Sequence, residues 1–582
     1  MVILFLLLEL AAAPCALATT YNVSGTKSGS ISAGDEWVVY MGNTLVTDIV
    51  QINGVLGNFG ALTNSGTLTN NRGGGLGNFG ALTNYDTLTN SGTLVNNNGG
   101  MLTNYGPLTN SGMLMNSGTL NNYYLLTNSG TLTNYVTLTN SGTLTNSGTL
   151  TNSGTLTNTA TLTNTGTLTN ESGCMLTNSG TLNNYYLLTN SGTLANYNTL
   201  TNFGTLTNTG TLTNTGTLTN ESGGTLTNES GGTLTNESGV ELANSGTLTN
   251  SGRLTNSGTL NNYDSLANSG TLTNTGTLTN NSGGTLTNTG TLTNESGAEL
   301  ANSGTLTNES GATLTNSGTL TNYDTLTNSD TLTNSGTLTN ESGGTLTNYY
   351  TLTNSGTLTN ESGGTLTNYD TLTNESGGTL TNSGTLTNYG PLTNSGRLTN
   401  SGTLSNGFWL TNTGTLTNSG TLNNDYRLTN TGTLTNTGTL TNSATLNNDY
   451  RLTNSGTLTN NDGASLTNSS GGTLTNSGTL TNTSSSTLTN YGTLTNTGTL
   501  TNNSGGKLTN NSGGTLTNTS GGTLTNSGTL TNYNGGTLTN NSGGTLTNSG
   551  TLKNNSGGTL TNSDTLTNTG TLTNSGTLNN YD

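Results

Sequence analysis

From Leu56 to Leu578 a leucine recurs at every sixth or eighth residue without a gap, and every one of these leucines falls on an even-numbered position. Two residues after each leucine stands an asparagine, from Asn58 through Asn146 to Asn580, while the other places in the unit vary. Fixed internal spacing of this length is the mark of a repeat architecture, in which each unit buries its apolar side only against its neighbours. The even spacing narrows the choice to strands. Each insertion adds two residues and never one, and in an extended chain an odd insertion would turn every following side chain to the opposite face.

Only 27% of the 582 residues are hydrophobic and 87 are glycine, so a conventional globular core is excluded. With a formal net charge of −17, this composition by itself resembles disorder. A disordered chain has no need to conserve parity. The unit Leu144 to Thr149 reads Leu-Thr-Asn-Ser-Gly-Thr, which is a half-buried strand of three or four residues followed by turn chemistry. The expected fold is all-β, a single-stranded parallel β-helix (β-solenoid) of 6- and 8-residue units, three-sided and right-handed. One coil would take about 18 to 22 residues, with coils about 4.8 Å apart. A two-sided coil of about 12 to 16 residues is the alternative on the same strand geometry. It is kept open by the tandem eight-residue units from Leu218 to Leu242, which show that long turns cannot be confined to one corner of a triangle.

Variation within the unit assigns the faces. The place after the leucine accepts Val95, Ala195, Ser405 or Lys553, and the place before it accepts Pro107, Arg253 or Lys507, so both should face water. Leu56, Leu144 and Leu578 stand for the inward leucines. Asn58, Asn146 and Asn580 stand for inward asparagines, whose stacked amides must bond to one another or to turn backbone, because an unsatisfied buried amide costs about 1–3 kcal/mol.

Three regions are expected. Residues 1–18 have the apolar run and the Ala16-Leu17-Ala18 ending of a secretory signal peptide, although Glu9 interrupts the run. Residues 19–55, with Trp37, Val38, Val39, Ile49, Val50 and Ile52, should cap the first coil. Residues 56–582 form the repeat array, which ends within a repeat at Asn580-Tyr581-Asp582 without an evident C-terminal cap. Cys15 lies in the leader and Cys174 stands alone after it, so no disulfide framework is expected.

The chain has no histidine, which removes the Ser-His-Asp arrangement and the usual general base. We expect no catalytic residues, no cofactor and no metal. The six-residue period is similar to that of left-handed hexapeptide acyltransferases. However, Tyr124, Tyr186, Asp86 and Asp330 fill a place that those proteins keep small. Glu171, Glu221, Glu229 and Glu237 share one turn position, where they read as solvated turn charge; the tandem ones could stack near one another as a weak divalent-ion site. Eight scattered Lys and Arg argue against nucleic acid as a partner. No segment of the mature chain has the length of a transmembrane helix.

The candidate contact residues are aromatic. All but two of the 21 tyrosines fall in repeat turns, and the pairs Tyr123-Tyr124, Tyr185-Tyr186 and Tyr349-Tyr350, with Phe408-Trp409, could stack on sugar rings or cover neighbouring turns. Threonines flanking most leucines resemble the Thr-x-Thr ice-binding face of β-solenoid antifreeze proteins.

A leader, a distinct first segment and a ladder such as Gly142-Thr-Leu-Thr-Asn-Ser-Gly together resemble exported bacterial β-solenoids, namely autotransporter passenger domains and filamentous-haemagglutinin-like adhesins. That resemblance implies a non-enzymatic secreted or cell-surface protein whose partners are cell-surface glycans, matrix or other copies of itself. An ice-binding solenoid and an assembly-prone functional amyloid or matrix fibre are the alternatives.

Overall fold

A computed structural model describes residues 19–581, so the expected leader lies outside the described residues. Contacts divide the chain into two compact units, to Leu272 and from Thr273. Both are built the same way. The recurring strand is four residues long, as in Thr143–Asn146, with its leucine and asparagine buried and its two threonines exposed or half-buried. Alternation of side chains along a strand puts positions i and i+2 on one face. Leu144 and Asn146 therefore point inward together, and a two-residue turn then redirects the chain. Val95 departs from the expected exposure of the place after the leucine. It lies between Gly77 and Met115 in register and is only 5% exposed.

Along the array of four-residue strands from Gly75–Asn78 onward, each strand pairs in parallel with the third strand after it. In the first unit Thr143, Leu144, Thr145 and Asn146 lie against Thr161, Leu162, Thr163 and Asn164. In the second, Thr439–Asn442 pairs in the same register with Thr457–Asn460. One coil thus consumes three strands, and the alternative of a 12- to 16-residue coil does not occur. The tandem long units, which keep that alternative open in the sequence, fit the three-strand coil. Leu200 pairs with Leu218, Leu206 with Leu226, and Leu212 with Leu234, so the separation grows from 18 to 20 to 22 residues as successive long turns enter successive corners. Any corner accepts either turn. Leucine stays over leucine because each added pair of residues is absorbed in the turn.

Two glycine positions show how the turns close. In the short turn, Ser147 N and Gly148 N both donate to Asn128 O one coil below, at 2.8 and 3.1 Å. A Cβ on Gly148 would lie 2.1 Å from Gly130 O, so the backbone of the preceding coil fills the space a side chain needs. Where tyrosine takes this place, at Tyr124, only the preceding Tyr123 N keeps its bond, to Asn104 O. In the long turn Gly231 adopts φ +86, a left-handed conformation that costs other residues about 1–2 kcal/mol. The turn then closes through Gly232 N donating to Glu229 O at 2.8 Å.

The asparagines form directional ladders. Asn146 Nδ2 donates to Asn164 Oδ1 at 2.7 Å and to the backbone oxygens of Thr167 and Gly148, while Asn146 Oδ1 accepts from Asn128 Nδ2 at 2.7 Å. Each amide with a following coil hands its hydrogen toward it; in the last coil, with no coil stacked on it, the expected inward pair is uncovered, Leu578 being 39% exposed and Asn580 exposed. Each ladder must therefore begin with an acceptor that has no asparagine beneath it.

The leading strands meet that need at one corner out of three. Thr47 lies in register with Asn64, and its hydroxyl donates to Asn64 Oδ1 at 2.7 Å. Val39 lies below Asn58 and Ile52 below Asn70, and neither can donate. Asn58 Oδ1 and Asn70 Oδ1 are accordingly buried without a partner. Thr47→Val should orphan the third acceptor as well, at a cost of about 1–3 kcal/mol. Amide hydrogen exchange of the first coils should accelerate in this variant, and unchanged protection would refute the role given to Thr47.

Candidate contact surface

In-register stacking brings together turn residues that are far apart in sequence. Asn84, Asn104 and Asn122 lie over one another, so the residue after each sits one coil from the next. Tyr85, Tyr105 and Tyr123 occupy these places and stack with ring centroids 5.4 and 5.1 Å apart and planes within 11°. Tyr185 stacks on Phe203 at 4.7 Å. In the second unit Tyr349, Tyr369 and Tyr389 form a like column, at 5.0 and 5.4 Å. Phe408 stacks on both Trp409 and Tyr426.

The stacks divide the sequence candidates by position in the turn. Tyr123, Tyr185 and Tyr349 come first after the asparagine, and each stacks one ring face on an aromatic residue of a neighbouring coil. Tyr124, Tyr186 and Tyr350 come second. They are 56%, 62% and 52% exposed and make no ring stack among the described residues. Tyr85, Tyr105, Phe203, Tyr369, Tyr389 and Tyr426 complete the columns, although no local motif sets them apart. Their spacing of 18 or 20 residues from a partner is the signal they carry, and it is legible only once the coil length is known.

Phe408 is half-buried in its turn, whereas the 49%-exposed Trp409 stands on a strand face. Its register partner is Arg427. The two line a shallow groove of about 310 Å³ with Thr411 and Thr429 over the buried Leu410. A flat indole beside a guanidinium offers stacking and charge-assisted hydrogen bonding to a ligand.

The acidic turns do not assemble in the same way. Glu221, Glu229 and Glu237 sit on three different corners of one coil, with Ser245, Ser251 and Ser257 following each in its own corner. The tandem glutamates do not stack on one another, because a residue's stacking neighbour is three strands away and not one. No group of three or more potential metal ligands occurs among the described residues. The Cys174 thiol is pushed above its usual range by burial and by the neighbouring Glu171 charge. Asp564 is held below the carboxylate range by backbone N–H groups of Gly543 and Thr565. Its carboxylate ties one coil to the turn below it.

The surface is therefore a set of aromatic turns and one indole–guanidinium groove, carried on a regular parallel solenoid. Comparison with curated proteins gives no match. The family model for the haemagglutinin repeat matches residues 42–112, 114–184, 153–238, 230–296, 295–348 and 350–420, which together exceed half of the chain. With this coverage, and with the repeats folded as parallel coils, the chain belongs to the haemagglutinin repeat family.

Proposed function

We propose that the protein is a non-enzymatic, adhesin-like structural repeat protein of the cell exterior, whose coils hold aromatic turns toward glycans or matrix. The observation that carries this reading is the set of exposed, unstacked rings at Tyr124, Tyr186 and Tyr350, whose backbone carbonyls are held by Thr143 N, Thr205 N and Asn348 Nδ2. A rigid anchor avoids most of the ordering cost that weakens flexible contacts. Family membership supports an exterior location, and no described helix is long and apolar enough to cross a membrane.

The test uses the full chain on immobilised glycans and on cells. Glycine is the usual residue at the second turn position, so Tyr124→Gly, Tyr186→Gly and Tyr350→Gly restore the ordinary turn and should leave folding intact. Each exposed ring is worth about 0.5–1.5 kcal/mol of contact, so its removal should weaken binding by up to about tenfold. Tyr105→Ser, within a covered stack, should change binding little. Undiminished binding by the triple variant would reject these rings as the contact.

A further inference from the structure

The three faces of the second unit are not equivalent. One of them, running from Thr285–Asn288 to Thr565–Asn568, carries threonine on both sides of every leucine except at Ser405 and Asn423. Arg397, Trp409, Arg427, Arg451, Lys507 and Lys553 all lie on strands of the other two faces. From Thr439–Asn442 to Thr565–Asn568 this face has seven successive strands in register, Thr over Thr in two columns. The turns on either side of this stretch contain no aromatic residue.

We propose that this threonine face binds ice. The register makes it a two-dimensional lattice, with hydroxyl-bearing side chains about 6.7 Å apart along each strand and about 4.8 Å apart between coils. Threonine is stiff at χ1, so identical residues in identical surroundings repeat one orientation. Each hydroxyl can hold a water at nearly the enthalpy of a direct hydrogen bond, and the lattice holds those waters at spacings near those of oxygen in ice. The methyl groups fill the space between them.

The side chains absent from the face select the same occupant. A lysine or arginine would orient its own hydration shell against the ice lattice, and none is present. A crystalline polysaccharide would be gripped by flat aromatic rings, which this chain places in turns elsewhere. A second copy of the chain would have to desolvate two polar faces with little apolar area to offset the cost. The proposal is independent of the adhesive reading, since it uses none of the aromatic residues.

The test is ice recrystallisation by the full-length protein against a buffer blank. Wild type should arrest grain growth. Thr479→Lys with Thr499→Lys, on the threonine face, should abolish the effect. Thr473→Lys with Thr493→Lys, on a neighbouring face, should preserve it. Lysine already occupies this strand position at Lys507, so both double variants should melt with wild type. The proposal is overturned if wild type behaves as buffer, if the threonine-face variant stays active, or if both variants lose activity equally. It is also overturned if the face variant loses only binding to crystalline cellulose or chitin.

Discussion

Replacing Asn146 by aspartate should open the coils around it at neutral pH and allow them to close again, in part, as the pH falls. The amide of Asn146 supplies the hydrogens taken by Asn164 Oδ1, Thr167 O and Gly148 O. A carboxylate supplies none, and each buried acceptor left bare costs about 1–3 kcal/mol. It also sets one negative oxygen against another inside the coil. Burial and that repulsion raise the new carboxyl's folded pKa above its unfolded value of about 3.9.

The sign of the pH effect follows from that shift. A group whose folded pKa is raised favours the folded state below the unfolded pKa and loses that contribution as pH rises through the folded value. Below about pH 4 the new carboxyl is neutral and can donate its one O–H to Asn164 Oδ1. The chain should then regain one of the lost bonds. Because stability in a repeat array is local, the readout is hydrogen exchange over residues 126–170 at pH 7 and near pH 4. Thr145→Asp, whose side chain is half-buried and points outward, should shift protection by only about 0.5 kcal/mol. If Asn146→Asp were as well protected as wild type at pH 7, the ladder would not be what holds the bend.

Lengthening the turn after Asn146 should be tolerated for two added residues and not for one. Substituting Asn-Ser-Gly-Gly, the sequence of residues 281–284, for Ser147-Gly148 converts a six-residue unit into a natural eight-residue one. Leu150 then remains inward over Leu132. A three-residue Ser-Gly-Gly turn instead brings Thr149 and Thr151 inward and turns Leu150 and Asn152 out. Exposing one leucine costs about 1.5–3 kcal/mol, and the broken amide ladder adds a comparable loss at each orphaned group.

The chain could avoid inversion only with a bulge. The leading strands show such register shifts, between Lys27 and Gly29 and between Thr47 and Ile49, but there the ladder has not begun. The three-residue variant should therefore lose several kcal/mol of local stability relative to the four-residue one. Differential proteolysis between Asn128 and Asn170 would show it. Equal resistance of the two variants would mean that parity does not control the fold.

Much of this architecture is legible in the amino-acid sequence, because it is written in short-range pattern. Leu144 and Asn146 belong to positions that never relax their identities, and both are fully buried, while Ala195 and Lys553 mark a position that is half-buried to exposed. Two residues of separation within a strand suffice to place a pair on one face. The stacked amides also follow from the pattern, since a buried asparagine in every unit has few other partners. What the pattern leaves open is the number of strands per coil. A Leu-Thr-Asn-Ser-Gly-Thr unit makes the same strand and turn in a coil of two sides or three.

That one open quantity decides the candidate surface. Tyr85, Tyr105 and Tyr123 look unrelated in sequence and become a column once coils of 20 and then 18 residues are known. Glu221, Glu229 and Glu237 look adjacent in sequence and are sent to three corners. The same step separates Tyr123 from Tyr124, neighbours of one chemistry, into a ring stacked on Tyr105 and a ring with no stacking partner among the described residues.

The sequence alone determined the inward ladder, the all-β class and the exclusion of histidine-based chemistry, because these depend on side-chain identity and on parity within a strand. Only the tertiary structure decided which residues meet between coils, that Thr47 supplies the one hydroxyl donor at the base of the asparagine ladders, and that one face is kept free of charge. Those are properties of stacking across 17 to 24 residues, set by hydrogen bonds between coils and not by the preferences of any single unit.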